Sequence, residues 1–141
     1  MMPFLRFRNA RIVVVGGRGF IGRHLVKRVL ELGANVWIID RGMRRSMNFL
    51  GLSSDRLRIL RCSVSDEIKL QRLFLKIKPH FVFNLAALLN RDKDLSIFQE
   101  LLDTHVIGVK NIISAILKSS FHSRLIQIGT MDECAEEPVS P

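Results

Sequence analysis

Apolar residues along this chain alternate between two rhythms. Short runs rich in β-branched residues predict five strands: Ile12 to Val15, Asn35-Val-Trp-Ile-Ile-Asp40, Leu57-Arg-Ile-Leu-Arg-Cys62, His80-Phe-Val-Phe-Asn-Leu85 and Arg124-Leu-Ile-Gln-Ile128. The fourth is nearly continuous in apolar character, as expected for a strand covered on both faces. Between the strands the spacing becomes helical. Phe20, Ile21, Leu25, Val26, Val29, Leu30 and Leu32 form one stripe, with Gly33 placed as a helix C-terminal glycine. Ile68, Leu70, Leu73, Phe74 and Ile77 form a second, capped by Ser65 or Asp66 and closed by Pro79, and a long helix is expected from about Ser96 to Lys118. Residues 41–55 read as a variable connection.

Strands alternating with helices imply parallel pairing through right-handed crossovers. The expected fold is therefore α/β: a Rossmann-like, doubly wound parallel sheet of about five strands in the order 3-2-1-4-5. No linker or repeat divides the chain, so residues 1–141 read as one domain, with an N-terminal extension over 1–9 and a loop tail over 130–141. In such a sheet ligands bind at the carboxyl ends of the strands where the strand order reverses, here between the first and fourth.

The candidate chemistry sits at that point. Between the first strand and first helix, Gly16, Gly19 and Gly22 give G-x-x-G-x-x-G, while Gly17, Gly19 and Gly22 give G-x-G-x-x-G. Either register permits a tight turn, close approach of backbone to a diphosphate and close packing of helix on strand. The helix N-terminus adds unpaired N–H groups and a partial positive charge. Asp40 ends the second strand, roughly the ~20-residue offset at which a carboxylate accepts the ribose hydroxyls of a dinucleotide. Topology brings Asn84, Leu85, Ala86 and Ala87 to the same crevice. The expected ligand is NAD, because Asp40 repels a 2′-phosphate; Arg41 and Arg18 keep NADP open, since either guanidinium could pair with that phosphate.

Composition narrows the field. Hydrophobic residues make up 48% and charged residues 25%, which is globular rather than disordered. No apolar run is long enough for a membrane span and the first residues lack a secretory leader, so a cytoplasmic location is expected. Two cysteines and four histidines, scattered, indicate neither a disulfide framework nor a metal site. The net charge of +9 calls for an anionic partner: a nucleotide, a nucleotide sugar or nucleic acid. The basic residues are spread from Arg6 to Arg124 and the stretch from Asp132 to Glu137 is acidic, which favours a generally basic surface over a nucleic-acid footprint.

These motifs together resemble the extended short-chain dehydrogenase/reductase family, in particular the NAD-dependent epimerases and dehydratases of nucleotide sugars. Gly16-Gly-Arg-Gly-Phe-Ile-Gly22 resembles the family's opening G-x-x-G-F-I-G, which selects the Gly16, Gly19, Gly22 register and adds Phe20 and Ile21 to the cofactor-binding set. Asn84-Leu-Ala-Ala87 resembles H-L-A-A, Gly108-Val-Lys-Asn111 resembles G-T-x-N, and Gly129-Thr-Met-Asp-Glu133 resembles the segment carrying an active-site Ser or Thr. The resemblance covers about Arg11 to Glu133 and the first half of a usual member.

It implies that Thr130 bonds the reacting sugar hydroxyl or carbonyl, and that a Tyr-x-x-x-Lys pair farther on moves the proton. This chain contains no tyrosine. The expectation is an NAD-binding portion cut short before its catalytic pair and inactive alone, acting on a nucleotide sugar only when completed. A non-catalytic nucleotide-binding scaffold and a basic nucleic-acid-binding protein are the alternatives. Ser63 replaces an aspartate that contacts adenine in many relatives, His105 stands where the helix often has asparagine, and Cys134-Ala135 replaces Tyr-Gly. His105 is expected to be a packing or surface residue, and His24 a solvated one. With one sheet edge unpaired, a homodimer or self-association is expected.

Overall fold

The computed structural model describes residues 7–42, 54–88, 97–119 and 122–129. Five strands, β1 (Arg11–Val15), β2 (Asn35–Asp40), β3 (Leu57–Arg61), β4 (Phe81–Asn84) and β5 (Arg124–Gln127), form one sheet in the order β3-β2-β1-β4-β5. Every pairing is parallel, with Val15 opposite Ile39 on one side and Asn84 on the other. The expected Rossmann-like order is the one observed.

Strand β1 is apolar throughout because both of its faces are covered. Val13 and Val15 enter a core with Ile39, Leu70, Phe74, Val82, Ile112 and Ala115. Ile12 and Val14 enter the opposite core with Val26, Val29, Val36 and Ile38. Helix α1 (Phe20–Glu31) belongs to the second core, and α2 (Glu67–Ile77) lies beside α4 (Gly108–Ser119) over the first.

Local signals set the helix ends. Asp66 accepts a hydrogen bond from the Lys69 N–H at 3.0 Å and caps α2; of the two expected caps it is the one used. Gly33 takes φ +82° just past α1, a conformation that costs a residue with a Cβ. Lys78 closes α2 in the left-handed region ahead of Pro79.

Three expectations are corrected. Phe20 and Ile21 do not join the buried stripe of α1, being 72% and 60% exposed. The first turn of the helix stands beyond the carboxyl end of β1, where there is no sheet to cover. The Arg23 guanidinium stacks over the Phe20 ring at 4.7 Å instead. Ile68 is also exposed; two residues before buried Leu70, it falls about 200° around the helix, on the outer face. The long helix is not uniform. Helix α3 (Phe98–Leu102) passes through a π-helical turn, Asp103–Ile107, before α4 begins, and the Gly108 N–H bonds to the Asp103 carbonyl five residues back. Ser96 lies outside the described residues.

No helix among the described residues is long and apolar enough to cross a membrane.

Candidate functional site

At the reversal of strand order, the carboxyl ends of β1, β2 and β4 open into a cleft of about 200 Å³. Its floor is backbone. The Gly16 N–H donates to the Ile39 carbonyl at 2.8 Å and the Leu85 N–H to the Val15 carbonyl at 2.9 Å, so strand pairing continues past the strands and holds the glycine turn between its neighbours. Gly16 has φ +71°, and a Cβ there would sit 2.9 Å from the backbone of Leu85 and Ala86. Both constraints demand glycine.

Gly22 serves differently. It is buried, and a Cβ would lie 2.6 Å from the Gly17 backbone, so this glycine lets α1 pack onto the turn. Gly17 is confined as well, 3.1 Å from the Ile38 and Val14 side chains. All of these glycines are structurally committed, but Gly16 and Gly19 are the ones that line the cleft. Helix α1 starts at Gly19 with no side-chain cap and no acid in its first turn, which leaves its first amides to an external anion.

Asp40 and Arg41 line the side wall. The Gly42 N–H donates to Asp40 Oδ1 at 3.0 Å, orienting the carboxylate and leaving its second oxygen to a ligand. Both nearby guanidiniums are engaged: Arg18 donates to the Gly42 carbonyl, and Arg41 pairs with Glu100 of α3. Leu85, Ala86 and Ala87 form the wall on the β4 side. Asn84 lies beneath them, 1% exposed, donating to Gln127 of β5 at 2.8 Å and accepting from the Ala86 N–H at 3.2 Å. Its place is to support the wall rather than face the cleft.

The structure thus brings Gly16, Gly19, Asp40, Arg41, Leu85, Ala86 and Ala87 around one cavity, and leaves Phe20, Ile21, Gly22 and Asn84 outside its lining. Thr130 lies outside the described residues. Sequence reasoning did not place Cys62, Val64 and Thr104 in the lining. Val64 had a signal: Gly108 and Asn111 of the G-x-x-N motif both act on it. A Cβ on Gly108 would meet the Val64 side chain at 2.6 Å, and the buried Asn111 amide donates to the Val64 carbonyl at 3.0 Å. That motif fixes the far wall of the cleft. Thr104 sits in the π turn, which no periodicity announced. His105, exposed in the same turn, has Nε2 3.2 Å from the Leu88 N–H and so pins the end of the β4-side wall.

Cys62 lines the cleft as a buried thiol. Burial, and then the nearby Asp66 carboxylate, push its pKa up to about 11 against a smaller opposing pull from Lys69, and the S–H faces the Ser63 carbonyl. Among the described residues no cluster of His, Cys, Asp or Glu could hold a metal ion. The cleft offers backbone amides, one oriented carboxylate and apolar walls, a set that fits a dinucleotide.

Comparison with known proteins agrees. Residues 12–140 match the NAD dependent epimerase/dehydratase family. The chain is 30% identical over 109 residues to UDP-N-acetyl-alpha-D-glucosaminuronate decarboxylase of Bacillus cytotoxicus, covering 77% of this chain and 33% of that protein. It is 29% identical to a probable dTDP-glucose 4,6-dehydratase of Sinorhizobium fredii, covering 70% and 29%. Among solved structures, the Bordetella bronchiseptica enzyme WbmG in complex with NAD and UDP superposes with a TM-score of 0.73 at 29% identity, over 90% of this chain and 39% of that one. The chain spans about a third of the length of the curated relatives it matches.

Proposed function

The chain belongs to the NAD dependent epimerase/dehydratase family, and we propose that it is the NAD-binding portion of an enzyme that remodels the sugar of a nucleotide sugar. One observation carries this: three motifs distant in sequence, the glycine turn, Asp40 and Leu85-Ala-Ala87, meet around one cleft at the β1–β4 reversal. The pyrophosphate would lie on the Gly16–Gly19 turn and the α1 amides, and the adenosine ribose against Asp40. Bound NAD would supply a hydride acceptor. The chain's own residues orient the dinucleotide and keep its walls apolar, and Thr130, just past β5, would bond the sugar.

NAD rather than NADP is the proposed cofactor. Asp40 presents a carboxylate where a 2′-phosphate would fall, while Arg41 is tied to Glu100 and Arg18 donates to the Gly42 carbonyl. With no tyrosine in its 141 residues, the chain has no phenol to move a proton, so binding without turnover is expected from it alone. Titration calorimetry with both dinucleotides tests the reading. NAD should bind the tighter, and Asp40→Ala should erode that preference by about tenfold through lost charge-assisted ribose bonds. Equal loss for both cofactors, or turnover of UDP- or dTDP-sugars by this chain, would overturn it.

A further inference from the structure

The amino ends of β1, β4 and β5 form a second cleft, at the edge of the sheet opposite the dinucleotide cleft. It encloses about 420 Å³ and is lined by Arg8 and Asn9 ahead of β1, His80 and Phe81 at the start of β4, and His122 and Arg124 at the start of β5. Among the described residues no acid lines it. Two arginines and two histidines thus line one cleft.

The cluster is held by the sheet, not by one flexible loop. The His80 N–H donates to the Arg11 carbonyl at 2.8 Å and the Arg124 N–H to the His80 carbonyl at 2.9 Å, fixing the three strand entries side by side. His80 Nδ1 accepts the Arg11 N–H at 2.9 Å, so the neutral ring carries its hydrogen on Nε2, the nitrogen left to donate to a ligand. Phe81, tilted against Phe7 with ring centroids 5.1 Å apart, adds an aromatic wall. The lining comes from three separate segments, at the entries to β1, β4 and β5. A tetrahedral oxyanion with three or more acceptor oxygens suits that arrangement better than a planar carboxylate with two.

We propose that this amino-end cleft binds a phosphate-bearing small molecule, separately from the dinucleotide. The phosphoryl oxygens are taken by Arg8, Arg124 and His80 Nε2, and Phe81 flanks whatever the phosphate carries. Two sources share this chemistry, a nucleotide phosphate and inorganic pyrophosphate. The proposal stands apart from the assignment of the carboxyl-end cleft.

The test is calorimetric titration of the 141-residue chain, first saturated with NAD, using pyrophosphate and AMP as probes. NMR of the histidine ring C–H groups is read in parallel. Binding with shifts at His80 and His122 is expected. Arg8→Gln and Arg124→Gln should each weaken it about tenfold, and the pair together should abolish it, with NAD affinity and thermal melting unchanged. AMP binding tighter than pyrophosphate would identify the nucleotide source, and the reverse order the inorganic one. The proposal fails if neither probe binds at millimolar concentration or if NAD competes both away. It also fails if the double variant binds them undiminished, or if the variants alter only binding to random-sequence RNA.

Discussion

The two ends of this sheet carry clefts built from different materials. At the carboxyl end the groups are backbone amides released by glycines, with Asp40 and Arg41 as the charged residues of the wall. At the amino end the groups are side chains, Arg8, His80, His122 and Arg124, with no glycine and no acid among them. A backbone cradle needs contiguous sequence, because turn, glycines and helix start must follow one another. A side-chain cluster needs only strands that happen to begin together. The first is specific in shape and intolerant of change; the second is adjustable residue by residue.

The comparison breaks most sharply at Gly16. Gly16→Val forces a side chain into a left-handed position and against the Leu85–Ala86 backbone. NAD affinity should fall on the order of 100-fold or more, since strain and clash together exceed about 3 kcal/mol. Pyrophosphate binding at the amino end should persist in the same protein. Loss of both would show that the ends are not independent.

A smaller effect is expected at Asn111. Asn111→Ala leaves the Val64 carbonyl without its donor, and denaturant melts should show a loss of about 1–2 kcal/mol. The lower part of the usual range applies because Asn111 Oδ1 is itself buried without a protein partner, so its removal recovers part of the cost. NAD affinity should drop several-fold as the wall relaxes. An unchanged melt would mean that Gly108 alone holds Val64.

The amino end should respond to acid. Burial and the Arg11 charge hold the His80 pKa below its ordinary value of 6.5. The folded state therefore resists protonation that the unfolded chain accepts. Stability should be full above about pH 6.5 and decline as pH falls below it, because there the unfolded state binds more protons. Melting temperature against pH, with His80→Gln for comparison, checks this: the variant should flatten the slope between about pH 6.5 and 5.

The smallest effect belongs to the Arg41–Glu100 pair beside the carboxyl-end cleft. Both side chains are more than half-exposed or nearly so, at 59% and 50%, and Glu100→Gln should cost less than about 1 kcal/mol. Its sharper consequence is specificity. Release of Arg41 should improve NADP binding relative to NAD, measured as the ratio of the two dissociation constants.

What could be read from the sequence follows the same division. The β1–α1–β2 unit was legible because its signals are consecutive: β-branched run, glycines, helical stripe, Gly33, Asp40. The sheet order followed from alternation and handedness alone. Phe20, Ile21 and Ile68 were assigned inward because periodicity records which residues are apolar but not where a helix outruns the sheet beneath it. The roles of Gly108 and Asn111 in holding Val64 require knowing that α4 crosses the β3–α2 connection, a contact made over 47 residues for Asn111. The amino-end cleft left no linear pattern, since its residues come from three separated segments and none forms a motif.

The π turn at Asp103–Ile107 acts on the helical run as a phase shifter. One residue inserted into a helix advances every later side chain by about 100° around the axis, so a wheel drawn in phase with α3 mispredicts the buried face of α4. Removing a single residue from this turn would leave composition and helix propensity nearly untouched. It would nevertheless rotate Gly108 and Asn111 away from Val64, so the far wall of the dinucleotide cleft is tuned by a count of residues as much as by their kinds.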